Sequence, residues 1–269
     1  MNIIKFELKK ESKSIMTWSV ITGLVLILFM AMFPTMENSD MMDVVMAKMD
    51  ALPSAMLEMF NISSAVDFSN IIDYFAYAFQ FILMVVCVYG AILGTNALSS
   101  EENEGTIEFL YSKPITRSSI VSKKIIVSVI SLFILIMVLG LISIGFVIAF
   151  TSDKSEIMSN ILLMKEVFVG SFIAGLVFMS IGFLISVLLK ENKSPIQIGL
   201  GVFFGTYMLG IISKLNDSFE FLKYLSPYDK FTPSEIVASG LDFGYLGISI
   251  VLIIISLGIT FTLYKKRDF

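Results

Sequence analysis

Residues 125–150, Ile-Ile-Val-Ser-Val-Ile-Ser-Leu-Phe-Ile-Leu-Ile-Met-Val-Leu-Gly-Leu-Ile-Ser-Ile-Gly-Phe-Val-Ile-Ala-Phe, contain no charged side chain. A transmembrane helix needs about 20 predominantly apolar residues. A strand of a membrane barrel would alternate apolar with polar residues, and this run does not. The run therefore predicts a transmembrane helix and an all-α membrane fold.

Five more runs of this kind lie on either side of it. The chain of 269 residues is 56% hydrophobic and 16% charged, whereas soluble proteins carry about 25% charged residues. We predict one polytopic transmembrane domain over residues 1–269, with both termini on the same side because the number of spans is even. The six predicted spans are 15–33, 72–97, 125–150, 166–189, 195–213 and 243–264.

The charges between the spans are distributed unequally. The segments on the side of the termini carry 13 Lys and Arg residues and eight Asp and Glu residues. The segments on the opposite side carry six Lys and Arg residues and 15 Asp and Glu residues. Basic loops stay in the cytoplasm, so we predict a protein of the cytoplasmic (cell) membrane with both termini cytoplasmic. The basic segments are 1–14, 98–124, 190–194 and 265–269.

The residues of known catalytic motifs are missing. The chain has no His and one Cys, Cys87, so a conventional catalytic triad and a disulfide framework are excluded. No GxxxxGK[ST] phosphate loop, HExxH, GxSxG or CxxC pattern occurs. We expect no enzyme activity, no catalytic residue, no metal site, no cofactor bound by this chain and no nucleic-acid partner.

Residues 2–14 place Ile3, Ile4, Phe6 and Leu8 among lysines. This pattern is typical of an amphipathic interfacial helix that continues into the first span. A plain basic signal that sets orientation accounts for it equally well.

The first outer loop is rich in methionine, with a helical spacing of apolar residues that Pro53 ends. We interpret it as an interfacial helix packed on the bundle, because Met is an adaptable filler. An adaptable surface for an apolar substrate and capture of a soft metal are the alternatives. The candidate outer-surface residues are Met42, Met46, Met49, Met56 and, from the last outer loop, Tyr228.

Two prolines, Pro227 and Pro233, divide the last outer loop, residues 214–242. They rule out one continuous helix. We predict a partly re-entrant hairpin with a short helix capped by Thr232 or Ser234 and ended by Gly240.

Two small-residue patterns lie within the spans. Gly201 and Gly205 form GxxxG, and Ser171 and Gly175 form small-xxx-small. Such patterns allow close helix contact, and we interpret both as helix packing rather than as proof of a dimer seam.

Residues 98–124 carry eight charges between two apolar runs. Acidic residues favour a helix N-terminus, Gly105 gives the turn its backbone freedom, and Pro114 stops the short helix 106–112. Ile107, Leu110 and Tyr111 share one face of it. The segment is longer than a tight hairpin needs, so it is either a helix gripped by a partner or one that only covers the surface.

This loop resembles the coupling segment of the ABC-2 type permeases, the membrane subunits of a group of ABC transporters. The Leu225–Asp229 segment, Leu-Ser-Pro-Tyr-Asp, is similar to the last outer loop of that family. The Met-rich loop has no counterpart in the pattern. The positions that match the family motif are Glu101, Gly105, Thr106, Leu110, Pro114, Arg117 and Lys123.

The resemblance implies an exporter-like (type V) fold with a coupling helix that docks in a separate ATPase subunit. Two ATPase subunits would bind ATP and Mg²⁺, and a second permease copy, identical or not, would complete the complex in the membrane. The expected ATPase contacts are Glu101, Glu104, Gly105, Thr106, Ile107, Glu108, Phe109, Leu110, Tyr111, Pro114 and Arg117.

The expected function is therefore ATP-driven export of an amphiphile, peptide, antibiotic or ion, since no substrate-binding domain is fused. One alternative is an ABC complex that senses or confers resistance without bulk transport. A channel or carrier of another class is less consistent with the absence of charge deep in the spans. A membrane anchor without a transport role is the third alternative.

Overall fold

The computed structural model describes residues 3–36, 67–100, 116–151, 153–188, 194–215 and 217–266. Within these ranges the chain forms helices and no strand. The main helices are α1 (Ile3–Ala31), α2 (Phe33–Met36), α3 (Ile71–Ala97), α4 (Arg117–Phe150), α5 (Ile157–Leu188), α6 (Pro195–Leu215), α7 (Pro233–Ser239) and α8 (Phe243–Lys266).

Six helices in the described ranges, α1 with α2 counted as one, are long and apolar enough to cross a membrane. They coincide with the six predicted spans, which confirms the fold class. The predicted Met-rich helix and the predicted coupling helix lie outside the described residues. The N-terminal segment forms the first turns of α1 and runs into the first span without a break.

Two helices begin well before the predicted spans. α4 starts at Arg117 rather than near 125, after Thr116, whose hydroxyl accepts a hydrogen bond from the Ser119 amide at 3.3 Å. α5 starts at Ile157 rather than near 166. Apolar runs mark the lipid-embedded part of a helix, but hydrogen bonding carries the helix on into the polar layer.

The closest helix contact joins α3 and α5, which lie at the centre of the bundle. A Cβ on Gly94 would overlap the Met179 carbonyl oxygen and lie 2.7 Å from the Phe183 amide nitrogen. A Cβ on Gly182 would lie 2.9 Å from the Thr95 amide nitrogen. Glycine therefore lets the two backbones touch, and van der Waals contact replaces the hydrophobic drive that lipid does not supply.

The two predicted small-residue pairs have different surroundings. Ser171 is fully buried, and a Cβ on Gly175 would lie 2.9 Å from Leu132 Cδ2, so this pair does pack inside the bundle. Among the described residues, nothing lies within 4 Å of a Cβ added to Gly201 or Gly205 of α6. The predicted packing of this pair is therefore wrong for the described part of the chain. The glycines that make the central contact, Gly90 and Gly94, also form a GxxxG pattern, which sequence analysis missed.

The other helices surround this pair. α4 packs on α3 and α5, α1 packs mainly on α4, α6 packs on α3, and α8 packs on α5. α1, α6 and α8 keep wide apolar faces exposed, as is expected of helices that face lipid or another subunit. We call the end at which α1 begins and α8 ends the termini end, and the other the opposite end.

We predict that Gly94→Leu destabilises the bundle strongly, because the side chain would overlap the backbone of α5. Overpacking of this kind typically lowers stability by about 1–3 kcal/mol. The measurement is the thermal unfolding temperature of the purified chain in detergent. Gly145→Leu in α4 is the matched control, since nothing lies within 4 Å of an added Cβ there; equal unfolding temperatures for the two variants would contradict the prediction.

Candidate functional site

The charged loop 98–124 joins the bundle at the termini end, and the structure describes its two attachment points. On one side, Leu98 is 1% exposed and its amide donates a hydrogen bond to Ser186 Oγ of α5 at 3.2 Å. One turn earlier, Thr95 Oγ1 lies 3.2 Å from the Pro195 carbonyl oxygen of α6, which shares the hydroxyl proton with the Ala91 and Ile92 carbonyl oxygens of α3 at 3.0 and 3.1 Å. The end of α3 is therefore tied to both α5 and α6.

The other attachment point is the start of α4. Arg117 Nη1 donates a hydrogen bond to the Lys265 carbonyl oxygen in the last turn of α8 at 3.1 Å. A cation at this place is favourable, because the last carbonyls of a helix carry partial negative charge. Two turns further on, Lys124 Nζ lies 4.0 Å from Glu7 Oε2 of α1, and both side chains are largely buried. The start of α4 is therefore tied to α8 and α1.

Of the residues predicted to contact an ATPase, Arg117 lies in the described residues and the others, 101–114, lie outside them. Arg117 is half-buried and one of its N–H groups is directed at α8. Sequence analysis missed Ser186, Lys265 and Glu7 as partners of the loop ends. No spacing rule could have found them, because they are far from the loop along the chain.

The opposite end carries a polar cluster around Asp229, which is 7% exposed. Lys214 Nζ donates to Asp229 Oδ1 at 3.0 Å, and Ser226 Oγ donates to Asp229 Oδ2 at 2.5 Å. Gly210 of α6 leaves the space for this carboxylate, since a Cβ there would overlap Oδ2. A buried carboxylate needs such partners to offset the loss of water.

Tyr228 is fully buried, so it does not belong to the outer surface on which sequence analysis placed it. Its hydroxyl donates a hydrogen bond to the Gln80 carbonyl oxygen of α3 at 3.1 Å. Burial, with Tyr207, Cys87 and Asp229 nearby, raises the pKa of the Tyr228 phenol well above its usual range. The phenol therefore stays a neutral donor and fastens the loop to α3. The other predicted outer-surface residues, Met42, Met46, Met49 and Met56, lie outside the described residues.

The loop around this cluster consists of short helices, and the last of them is the short helix predicted between Thr232 and Gly240. A 3₁₀ helix, Asp217–Leu225, and a second, Asp229–Phe231, precede α7, which packs on α3 and α5. Gly240 ends α7 with φ 78°, as predicted. Thr232 holds the cap position, but its hydroxyl donates to the Asp229 carbonyl oxygen at 2.8 Å and makes no capping bond.

The chain as a whole, residues 1–269, matches the family model described as "ABC-2 family transporter protein". The chain belongs to the ABC-2 transporter family. A comparison of the chain with curated proteins found no match. Members of this family are the membrane subunits of ABC transporters, which work with an ABC ATPase in a membrane. The six candidate membrane-spanning helices of the described residues belong to this permease subunit.

We predict that Tyr228→Phe destabilises the permease, because it removes the buried hydrogen bond from the phenol to the backbone carbonyl oxygen of Gln80. Loss of one such hydrogen bond lowers stability by about 1 kcal/mol. Thermal unfolding in detergent measures the effect. Tyr224→Phe is the matched control, since Tyr224 is 54% exposed; a Tyr228→Phe variant as stable as this control would show that the hydroxyl does not fasten the loop.

Proposed function

We propose that this chain is the permease subunit of an ABC exporter, and that loop 98–124 receives movement from a separate ATPase subunit. The proposal rests on how the two ends of the loop are attached to the helix bundle. One end is joined through Leu98 to α5, and the other is joined through Arg117 to α8. A loop fixed at both ends to different helices can pass a displacement on to the bundle instead of absorbing it.

In this mechanism the chain itself performs no chemistry on ATP. Ile107, Phe109, Leu110 and Tyr111 would make the apolar contact with the ATPase, with Glu104, Glu108 and Arg117 as the polar contacts around it. ATP and Mg²⁺ would be held by the partner. When two ATPase subunits close on ATP, they would push the loop and tilt α3 and α4 against their neighbours.

The orientation and the cargo complete the proposal. The surplus of Lys and Arg at the termini end supports a cytoplasmic location for both termini and for the loop in the cell membrane. The cargo class is an amphiphile, peptide, antibiotic or ion moved outward. A complex that senses or resists such compounds without bulk transport would use the same coupling contacts, and a transport assay separates the two functions.

A second permease copy would pack on α6. Its exposed face carries Leu200, Phe204 and Met208 beside Gly201 and Gly205, whose surroundings are open. Glycines four apart let another helix approach closely, and the larger residues beside them supply contact area. Among the six candidate spans of the described residues, only α8 is less buried than α6. These features support α6 as the contact with the second copy, identical or related.

We predict that an ATPase with a phosphate loop co-purifies with the chain after mild detergent extraction from native membranes, at about one copy per permease. Leu110→Asp and Gly105→Pro should each reduce this association at least roughly tenfold. For Leu110→Asp the reason is that an apolar anchor lost from an interface typically weakens binding by about 2 kcal/mol or more. Membrane insertion of both variants should match that of the unaltered chain.

Leu225→Asp is the control for this experiment. It makes the same change at an exposed position of the opposite end, where Leu225 is 53% exposed. It should keep the ATPase. Association that survives both loop substitutions, or that Leu225→Asp abolishes equally, would refute the docking role of the loop.

We predict that Gly201→Leu combined with Gly205→Leu weakens association of two permease copies without lowering the stability of the single chain. The added side chains meet none of the chain's described residues but would separate two helices in contact. Cross-linking in native membranes measures the dimer. Gly258→Leu in α8, equally open, is the control; a dimer lost with Gly258→Leu and kept in the double variant would place the contact on α8.

A further inference from the structure

An open groove of about 720 Å³ runs along the outside of the bundle between α1 and α4. The α4 wall consists of Ile130, Ile134, Val138 and Ile142, and the α1 wall extends from Leu8 to Ile27. Its volume is within the range of about 300–1,000 Å³ that is typical of small-molecule sites. The function proposed above does not use this groove.

The walls of the groove are apolar. Its two hydroxyls, in Ser12 and Ser19, add little polar surface, because Ser12 Oγ donates to the Lys9 carbonyl oxygen at 2.7 Å and Ser19 is 8% exposed. The α1 wall of the groove is about 18 Å long from Ile15 to Ile27, because an α-helix rises about 1.5 Å per residue. One leaflet of a bilayer has about 15 Å of hydrocarbon. The groove therefore suits an extended acyl chain.

Both walls end in lysines at the termini end. Lys5 and Lys9 precede the apolar part of α1, and Lys123 precedes the apolar part of α4. Lys5 and Lys9 lie seven residues before Ser12 and Met16, and Lys123 lies seven before Ile130. Ser12, Met16 and Ile130 line the groove, and residues seven apart share one face of a helix. The lysines are therefore in line with the groove, at the level where lipid headgroups would lie.

We propose that this groove binds one anionic phospholipid, with an acyl chain between α1 and α4 and the phosphate beside Lys5, Lys9 and Lys123. The apolar walls match the chain, and the lysines complement a negative headgroup. A second permease copy is a poorer occupant. Two copies related by a twofold axis along the membrane normal would bring these lysines together. Repulsion between the like charges would then disfavour the interface.

Native mass spectrometry of the purified chain in detergent tests the proposal, with dioleoyl phosphatidylglycerol and dioleoyl phosphatidylcholine as the probes. One phosphatidylglycerol should bind at least roughly tenfold more tightly than phosphatidylcholine, since each lysine near an anionic headgroup contributes to affinity. The triple variant Lys5→Gln, Lys9→Gln, Lys123→Gln should bind the two lipids equally. The triple variant Lys154→Gln, Lys165→Gln, Lys230→Gln, at the opposite end, should keep the preference.

A second variant separates the groove from general attraction of lipid to a basic surface. Ile134→Trp fills the groove and should remove the tightly bound lipid, whereas Ile254→Trp on the exposed face of α8 should not. Thermal unfolding checks that both variants fold. Equal affinity of the two lipids, or a phosphatidylglycerol preference that survives Ile134→Trp, would overturn the proposal. A change in oligomeric mass with Ile134→Trp while lipid binding stays intact would do so too, and would assign the groove to a second copy.

Discussion

The close contact between α3 and α5 is the interaction on which the rest of the bundle depends. Lipid surrounds the outer helices as readily as another helix does, so the hydrophobic effect does not select which helices meet. Backbone approach through Gly90, Gly94 and Gly182 does select them, and in the described part of the chain these two helices make the most extensive contact of any pair. α4, α6 and α8 then pack against a pair whose position is already set.

The two ends of the bundle are built differently. At the opposite end, Asp229 with Lys214 and Ser226 fastens the last loop onto α6, and Tyr228 fastens it onto α3. Asp229, Ser226 and Tyr228 are buried and hydrogen-bonded, and Lys214 is partly exposed. At the termini end, hydrogen bonds made by Thr95, Leu98 and Arg117 and the ion pair between Lys124 and Glu7 join α3 and α4 to four other helices. The opposite end is therefore held by a loop folded onto the bundle, whereas the termini end is held by contacts between the ends of helices.

The exposed apolar surface of the bundle is not uniform. α6 presents small residues at its centre, which suits contact with another helix. The groove of α1 and α4 is lined by apolar side chains, and Lys5, Lys9 and Lys123 precede its two walls along the chain. α8 presents large aliphatic side chains to its surroundings, among them Val251, Ile254 and Ile255. Three faces that hydropathy alone cannot distinguish therefore differ in side-chain size and in the charges at their ends.

The sequence by itself determined the helical class, the six spans, the common side of the termini and the family, because long uncharged runs leave the backbone no alternative in lipid but to bond with itself. The motif of loop 98–124 is also local, so it was readable without coordinates. Tertiary structure decided which glycines pack, since Gly94 and Gly205 stand in the same local pattern and only the first meets another backbone. It also decided that Tyr228 is buried and that Lys214 pairs with Asp229, because long-range contacts depend on how helices are arranged and not on spacing along the chain.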